Sequence, residues 1–131
     1  MGHRIEPILV ESAEVTATTT FPVLNAKNAT KITCQFTRAD HSSGSSKFEV
    51  LGSLDGTTFE AVMLIQTIAA DAGAGTAGED IGYTRALSTT LGADGDEFWA
   101  VDLKHFNYKE IAVKVTETTD GTHSYKALIE Y

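Results

Sequence analysis

Apolar and polar residues alternate with a period near two along most of this chain. The clearest case is Lys31 to Arg38, where Ile32, Cys34 and Phe36 face one way and Lys31, Thr33, Gln35 and Thr37 the other. Such alternation predicts half-buried strands. Phe48 and Val50 share a face on the first arm of a hairpin predicted around Ser53-Leu54-Asp55-Gly56-Thr57. Phe59, Ala61, Met63 and Ile65 share a face on its second arm. Asp-Gly suits a tight turn because glycine reaches positive φ without steric cost. Asp55 is expected to hold that turn, with Phe48 and Phe59 entering the core. Val62 and Leu64 make the second arm apolar on both sides, so another layer or another subunit is expected to cover part of it. A second Asp120-Gly121-Thr122 stands between Val113–Glu117 and Tyr125–Tyr131 and predicts a closing hairpin of the same design.

Further strands are predicted at Ile8–Val10, Glu14–Thr20, Ile81–Thr90 and Phe98–Leu103. Pro7 suits the first of these to an edge, and the threonine-rich second reads as a polar edge. Ala39–Ser46 is a polar loop expected to be mobile. Residues 69–80, rich in alanine and glycine, read as a long flexible loop inside one domain, because strand signals resume on both sides. Leu24, Asn28, Ile32 and Thr37 recur in order as Leu103, Asn107, Ile111 and Thr116. This echo predicts two equivalent core strands in facing or neighbouring sheets. No amphipathic helix of three turns is legible. About eight short strands with near-regular turns predict an all-β protein, an antiparallel β-sandwich for which a jelly roll is one available arrangement. Residues 1–12 read as an N-terminal arm and 13–131 as a single sandwich domain.

Composition narrows the function. At 131 residues and 42% hydrophobic content, one domain with a real core is expected. No run approaches the roughly 18 apolar residues of a membrane helix. The first residues lack the apolar core of a secretory signal, so synthesis and folding in a cytoplasm are expected. A net charge of −8 with scattered basic residues disfavours nucleic acid and anionic membrane as partners. The lone Cys34 excludes an intrachain disulfide and, in phase with Ile32 and Phe36, is expected in the core.

The candidate chemistry is thin. Asp94, Asp96 and Glu97 crowd a glycine-containing loop and are weak candidates for calcium ligands, against the ordinary reading of acidic turn residues. His3, His41, His105 and His123 lack the paired spacing of a zinc site. No nucleophile elbow is present, and no enzymatic activity and no cofactor are expected. Trp99 and Tyr108, with Phe106 nearby, are candidates for stacking on a sugar, although Trp99 shares phase with Val101 and Leu103 and so reads first as core. The remaining class is an interaction protein. Its expected partner-binding residues are Ile5, Ile8, Leu9 and Val10 on the arm.

The pattern Phe48-x-Val50-x-Gly52-Ser-x-Asp55-Gly56-Thr-x-Phe59 resembles a hairpin of small β-sandwich virion proteins of tailed bacteriophages. The passage from Asp102-Leu103 through Tyr108 into Lys109–Val115 and the last Asp-Gly resembles their C-terminal half. The resemblance covers roughly residues 13–66 and 97–131. It implies a structural subunit without an active site, a capsid decoration protein or an auxiliary head or tail component. It also implies a major capsid or other virion protein as partner, homo-oligomers that are often trimers, and a place on the virion surface after synthesis in a host cytoplasm. Similar hairpins occur in discoidin-like sugar-binding modules, which keeps a carbohydrate-binding alternative in view.

Overall fold

The computed structural model describes residues 6–68, 82–118 and 120–131. Its strands are Ile8–Glu11 (β1), Thr19–Thr20 (β2), Leu24–Asn25 (β3), Lys31–Ala39 (β4), Ser46–Ser53 (β5), Glu60–Ala61 (β6), Leu64–Ile68 (β7), Gly82–Ala86 (β8), Thr89–Leu91 (β9), Gly95–Asp102 (β10), Glu110–Glu117 (β11) and Thr122–Glu130 (β12). They form two antiparallel sheets. Sheet A runs β1-β12-β4-β10-β7-β8, and sheet B runs β2-β11-β5-β6, with β3 also on β11 and β9 also on β5. The all-β sandwich expected from the alternation is the architecture observed. The strand segments outnumber the expected eight because several edges are built from pieces of two or three residues.

The long strands follow the period of two. β4 buries Ile32, Cys34, Phe36 and Arg38, and β12 buries His123, Tyr125, Ala127 and Ile129. β5 buries Ser46, Phe48 and Val50 against β11, which buries Ile111, Val113 and Val115. The two layers meet where Phe36 of sheet A stacks on Phe48 of sheet B, ring centroids 4.8 Å apart. Phe21 meets Tyr125 edge-on at 5.0 Å. Each such ring contributes roughly 1.5–3 kcal/mol by leaving water. The sequence echo is realised here: its two strands are β4 and β11, interior strands of the two facing sheets.

Both Asp-Gly segments differ from the hairpins expected. Around Asp55 the last pair between the arms is Gly52 with Glu60, so residues 54–59 form a wide loop and not a tight turn. Asp55 does hold it: its Oδ1 accepts from the Thr57 and Thr58 amides, both at 2.8 Å, and Gly56 adopts φ 80°. Those amides draw the Asp55 carboxyl below its ordinary range. The second arm then leaves its partner. Glu60–Ala61 pairs with β5 in sheet B, and Leu64–Ile68 pairs in sheet A. Val62 and Leu64 are buried in the passage, Met63 is exposed and Phe59 is only half-buried. The doubly apolar stretch is therefore a crossing between layers: Val62 and Leu64 face the core, while Met63 and Ile65 lie on the outer side.

Asp120-Gly121 is also a crossing. β11 lies in sheet B and β12 in sheet A, and neither pairs with the other. The strand expected at Ile81–Thr90 divides, from Gly82 on, into β8 of sheet A and β9 of sheet B, and Ile81 lies outside the described residues. The Glu14–Thr20 edge is shorter than expected, a bridge from Val15 to His123 followed by β2.

Cys34 is fully buried, and burial pushes its thiol up to about 12. Since the thiolate is the reactive form, the folded protein is expected to resist a disulfide-exchange thiol reagent at pH 8 and to react stoichiometrically once unfolded in denaturant. Rapid labelling of the native chain would contradict this placement.

Candidate interaction surfaces

The N-terminal segment is part of the sheet. Ile8 to Glu11 pair with Ile129 to Lys126, and Ser12 exchanges bonds with Tyr125: its amide donates to the Tyr125 carbonyl at 2.9 Å and its Oγ accepts the Tyr125 amide at 2.8 Å. Pro7 stands just outside. Among the described residues the far edge of β1 has no strand partner. Val10 turns inward and packs on the core. Ile8 and Leu9 remain 48% and 57% exposed. Ile5 lies outside the described residues, as does the loop expected at 69–80.

The outer faces of the two sheets differ in chemistry. Sheet B shows water Lys47, Glu49, Lys114 and Thr116, with Lys47 Nζ 3.9 Å from Glu49. Sheet A carries one register row through all of its strands: Leu9, Leu128, Thr33, Ala100, Ile65 and Arg85. Leu128 is 36% exposed, and Phe98 and Tyr83 stand open beside the row. Side chains of one row are nearest neighbours on a sheet face, so Leu9 and Leu128 on one side and Ala100 and Ile65 on the other form a largely apolar band interrupted by Thr33. Past β7 the band turns into a groove of about 630 Å³ lined by Met63, Leu87, Phe106 and Tyr108. All four come from passages between the sheets or from their margins. Tyr108 is fixed there by glycine: a Cβ at position 52 would sit 2.4 Å from its ring. At the groove's rim, His105 Nδ1 lies 2.8 Å from an Asp102 carboxylate oxygen, which holds that carboxyl below its usual range.

The sequence-predicted metal and sugar residues do not assemble. Asp94 engages His41, Asp96 accepts from Thr37 Oγ1 at 2.6 Å, and Glu97 accepts from Thr89 Oγ1 and from the Trp99 indole. Three carboxylates, each with its own partners, do not converge, and among the described residues no group of metal-ligating side chains does. Trp99 is 5% exposed and lies in the core with Val101 and Leu103, the placement its phase gave. It offers no open face to a sugar. Tyr108 lies half-buried over Gly52 of the other sheet, so the two rings share no platform.

A buried polar cluster that no sequence motif marks lies at one end of the sandwich. Ser46 Oγ lies 3.0 Å from His123 Nδ1, and His123 Nε2 lies 3.5 Å from Glu117 Oε1. A serine, a histidine and a carboxylate in sequence resemble nucleophilic machinery, but Ser46 and His123 are 0% exposed and no substrate reaches them in this arrangement. Beside them Arg38 is 1% exposed. Its Nη1 donates to the carbonyls of Gly44 and Leu91, and its Nη2 to those of Ser43 and Asp120, at 2.9–3.2 Å. These bonds tie three separate loops at one end of the sandwich. The 39–46 loop expected to be mobile is pinned by them and by Asp120, whose carboxylate accepts from the Ser42 hydroxyl and from the Ser42 and Ser43 amides.

Those bonds, the Ser42 hydroxyl first, lower the Asp120 carboxyl from 3.8 to about 2. A carboxyl depressed by folding stabilises the native state above its ordinary pKa, and the contribution is lost as pH falls through the folded value. Between about pH 4 and pH 2, the melting temperature of the wild type is expected to fall more steeply than that of Asp120→Asn. Parallel melting curves across that window would show that the bonds are not kept in solution.

In class, the chain is an antiparallel β-sandwich of two layers with a largely apolar band on the outer side of sheet A. No protein-family model matches it, and no curated protein matches it significantly. Among solved structures it is similar to the SPBc2 prophage-derived protein YomS, with 11% identity over 98% of each chain and a TM-score of 0.61. At that identity the likeness is one of fold, and it extends through nearly the whole of both chains.

Proposed function

We propose that this chain is a structural protein of a tailed-phage virion, docking on the outside of the shell as a decoration subunit. The observation that carries the reading is β1, an edge strand whose outer side is free among the described residues and whose Ile8 and Leu9 are 48% and 57% exposed. A free strand edge takes an extended segment of another chain by main-chain pairing, with side-chain pockets adding selectivity. The likeness in fold to a prophage-derived protein supports the same reading. The mechanism is mechanical and involves no enzymatic step. A rigid sandwich present in many copies bridges shell subunits, and many weak contacts add through multivalency.

The test is immunogold labelling of purified virions from the phage that encodes the chain. Label over the head is expected. Label confined to the tail would move the role to a tail or head–tail auxiliary, and particles without label would reject a virion role. The edge itself is tested by Ile8→Lys in place of deleting residues 1–12, because deletion would strip β1 from β12 and confound folding with docking. Ile8→Lys is expected to fold, to lose about 1 kcal/mol because half of the isoleucine is covered, and to occupy particles poorly. Full occupancy by the variant would place the contact elsewhere.

A further inference from the structure

We propose that the outer face of sheet A is a self-association surface, and that its occupant is a second copy of this chain related by a two-fold axis running along the boundary between β4 and β10. That boundary is the midline of the sheet, with β12 and β1 on one side and β7 and β8 on the other. A two-fold lying in the contact plane exchanges the two halves while keeping each register row in place. The row Leu9, Leu128, Thr33, Ala100, Ile65, Arg85 is then laid on its own reverse. Leu128 meets Ile65 of the second copy. Thr33 meets Ala100, both small, so the sheets approach closely at the axis. Leu9 meets the aliphatic stem of Arg85.

The charges fit the same operation. Lys31 and Asp102 are register partners across the midline, so the two-fold sets each over the other's opposite charge. Arg85 is exposed and has no carboxylate within ion-pair distance among the described residues. Over β1 of the second copy its guanidinium reaches Glu11, two residues along the same face from Leu9. The face mixes Lys31, Arg85 and Lys126 with Glu11, Asp96, Asp102 and Glu130, and so is close to neutral in a chain of net charge −8. Elsewhere, two copies of so acidic a chain repel. An arbitrary partner surface has no reason to match this row against its own reverse, whereas self-association requires that match.

The size is sufficient. Six strands about 4.8 Å apart span about 24 Å, and eight residues at about 3.4 Å run about 27 Å, or roughly 600 Å² per copy. The resulting total of about 1,200 Å² is at the lower bound of specific interfaces, which fits a reversible dimer. Aligned stacking at about 10 Å is the ordinary geometry for two sheet faces.

Sedimentation velocity on the full chain across a concentration series tests the proposal. Twice the chain mass is expected at high concentration. Leu128→Lys, at an exposed site, is expected to weaken association about 100-fold with the melting curve retained. Arg85→Glu should weaken it about tenfold, and adding Glu11→Arg should restore it. The charge swap keeps the test valid if Leu128→Lys fails to fold. A wild type that stays monomeric, a closed trimer, a dimer indifferent to Leu128→Lys, or a swap that restores nothing would each overturn it. Solution mass reports this contact whatever the virion labelling shows, so the two readings fail separately.

Discussion

Arg38→Met is expected to destabilise the protein by about 3–5 kcal/mol, a large share of the roughly 5–15 kcal/mol that holds a domain together. Methionine keeps much of the apolar volume but donates no hydrogen bond. The carbonyls of Ser43, Gly44, Leu91 and Asp120 all lose their guanidinium donor. A buried acceptor left unpaired costs about 1–3 kcal/mol, reduced where water can enter. Ser43 and Gly44 lie near solvent and recover part of the loss, whereas the Leu91 bond is buried. Arg38→Lys is expected to fall in between, because one ammonium cannot span the same fork of acceptors. The check is the urea midpoint at neutral pH with an unchanged slope. A loss below about 1 kcal/mol would reduce Arg38 to a space-filler.

Phe48→Ala is expected to cost about 3–5 kcal/mol by a different route. The ring is 0% exposed, stacks on Phe36 across the layers and meets the His123 ring edge-on at 6.4 Å. Removing it opens a cavity where the two sheets touch, and the backbones on either side, fixed by their ladders, close it only in part. Phe48→Leu retains much of the volume and is expected to cost far less. Thermal melts of both variants give the comparison. Equal losses would mean that aromatic stacking, and not filled volume, dominates at this contact.

The two positions show what a reader of the sequence sees. Phe48 is legible because its phase with Val50 is local, and alternation over four residues already names the inward face. Arg38 is in phase with Ile32, Cys34 and Phe36, and His123 with Tyr125, Ala127 and Ile129. Ser46 and Glu117 continue the inward faces of β5 and β11 in the same way. Polar residues in core phase at strand ends were thus the available signal for the buried cluster. A strand end reads equally well as the start of a loop, so alternation alone does not separate the two at these positions. Trp99 was legible as core for the same reason that Phe48 was. The Asp94–Glu97 cluster misleads because adjacency in a chain does not set where carboxylates point, and here each finds its own partner.

The chain's own pattern determines that this is an all-β protein, which faces of its long strands are buried, that Cys34 is interior and that Asp55 shapes a loop. These follow from dihedral preference and period-two burial, which act over a few residues. Tertiary structure alone decides that both Asp-Gly segments belong to different surroundings: one opens a wide loop within sheet B, and the other carries the chain from sheet B to sheet A. A hairpin and a crossing use the same turn residues, and only the burial of distant partners separates them. The outer band of sheet A is likewise absent from any single segment. Leu9, Leu128, Ala100 and Ile65 are unremarkable apart, and they become a surface once ladder registers set strands distant in the chain side by side.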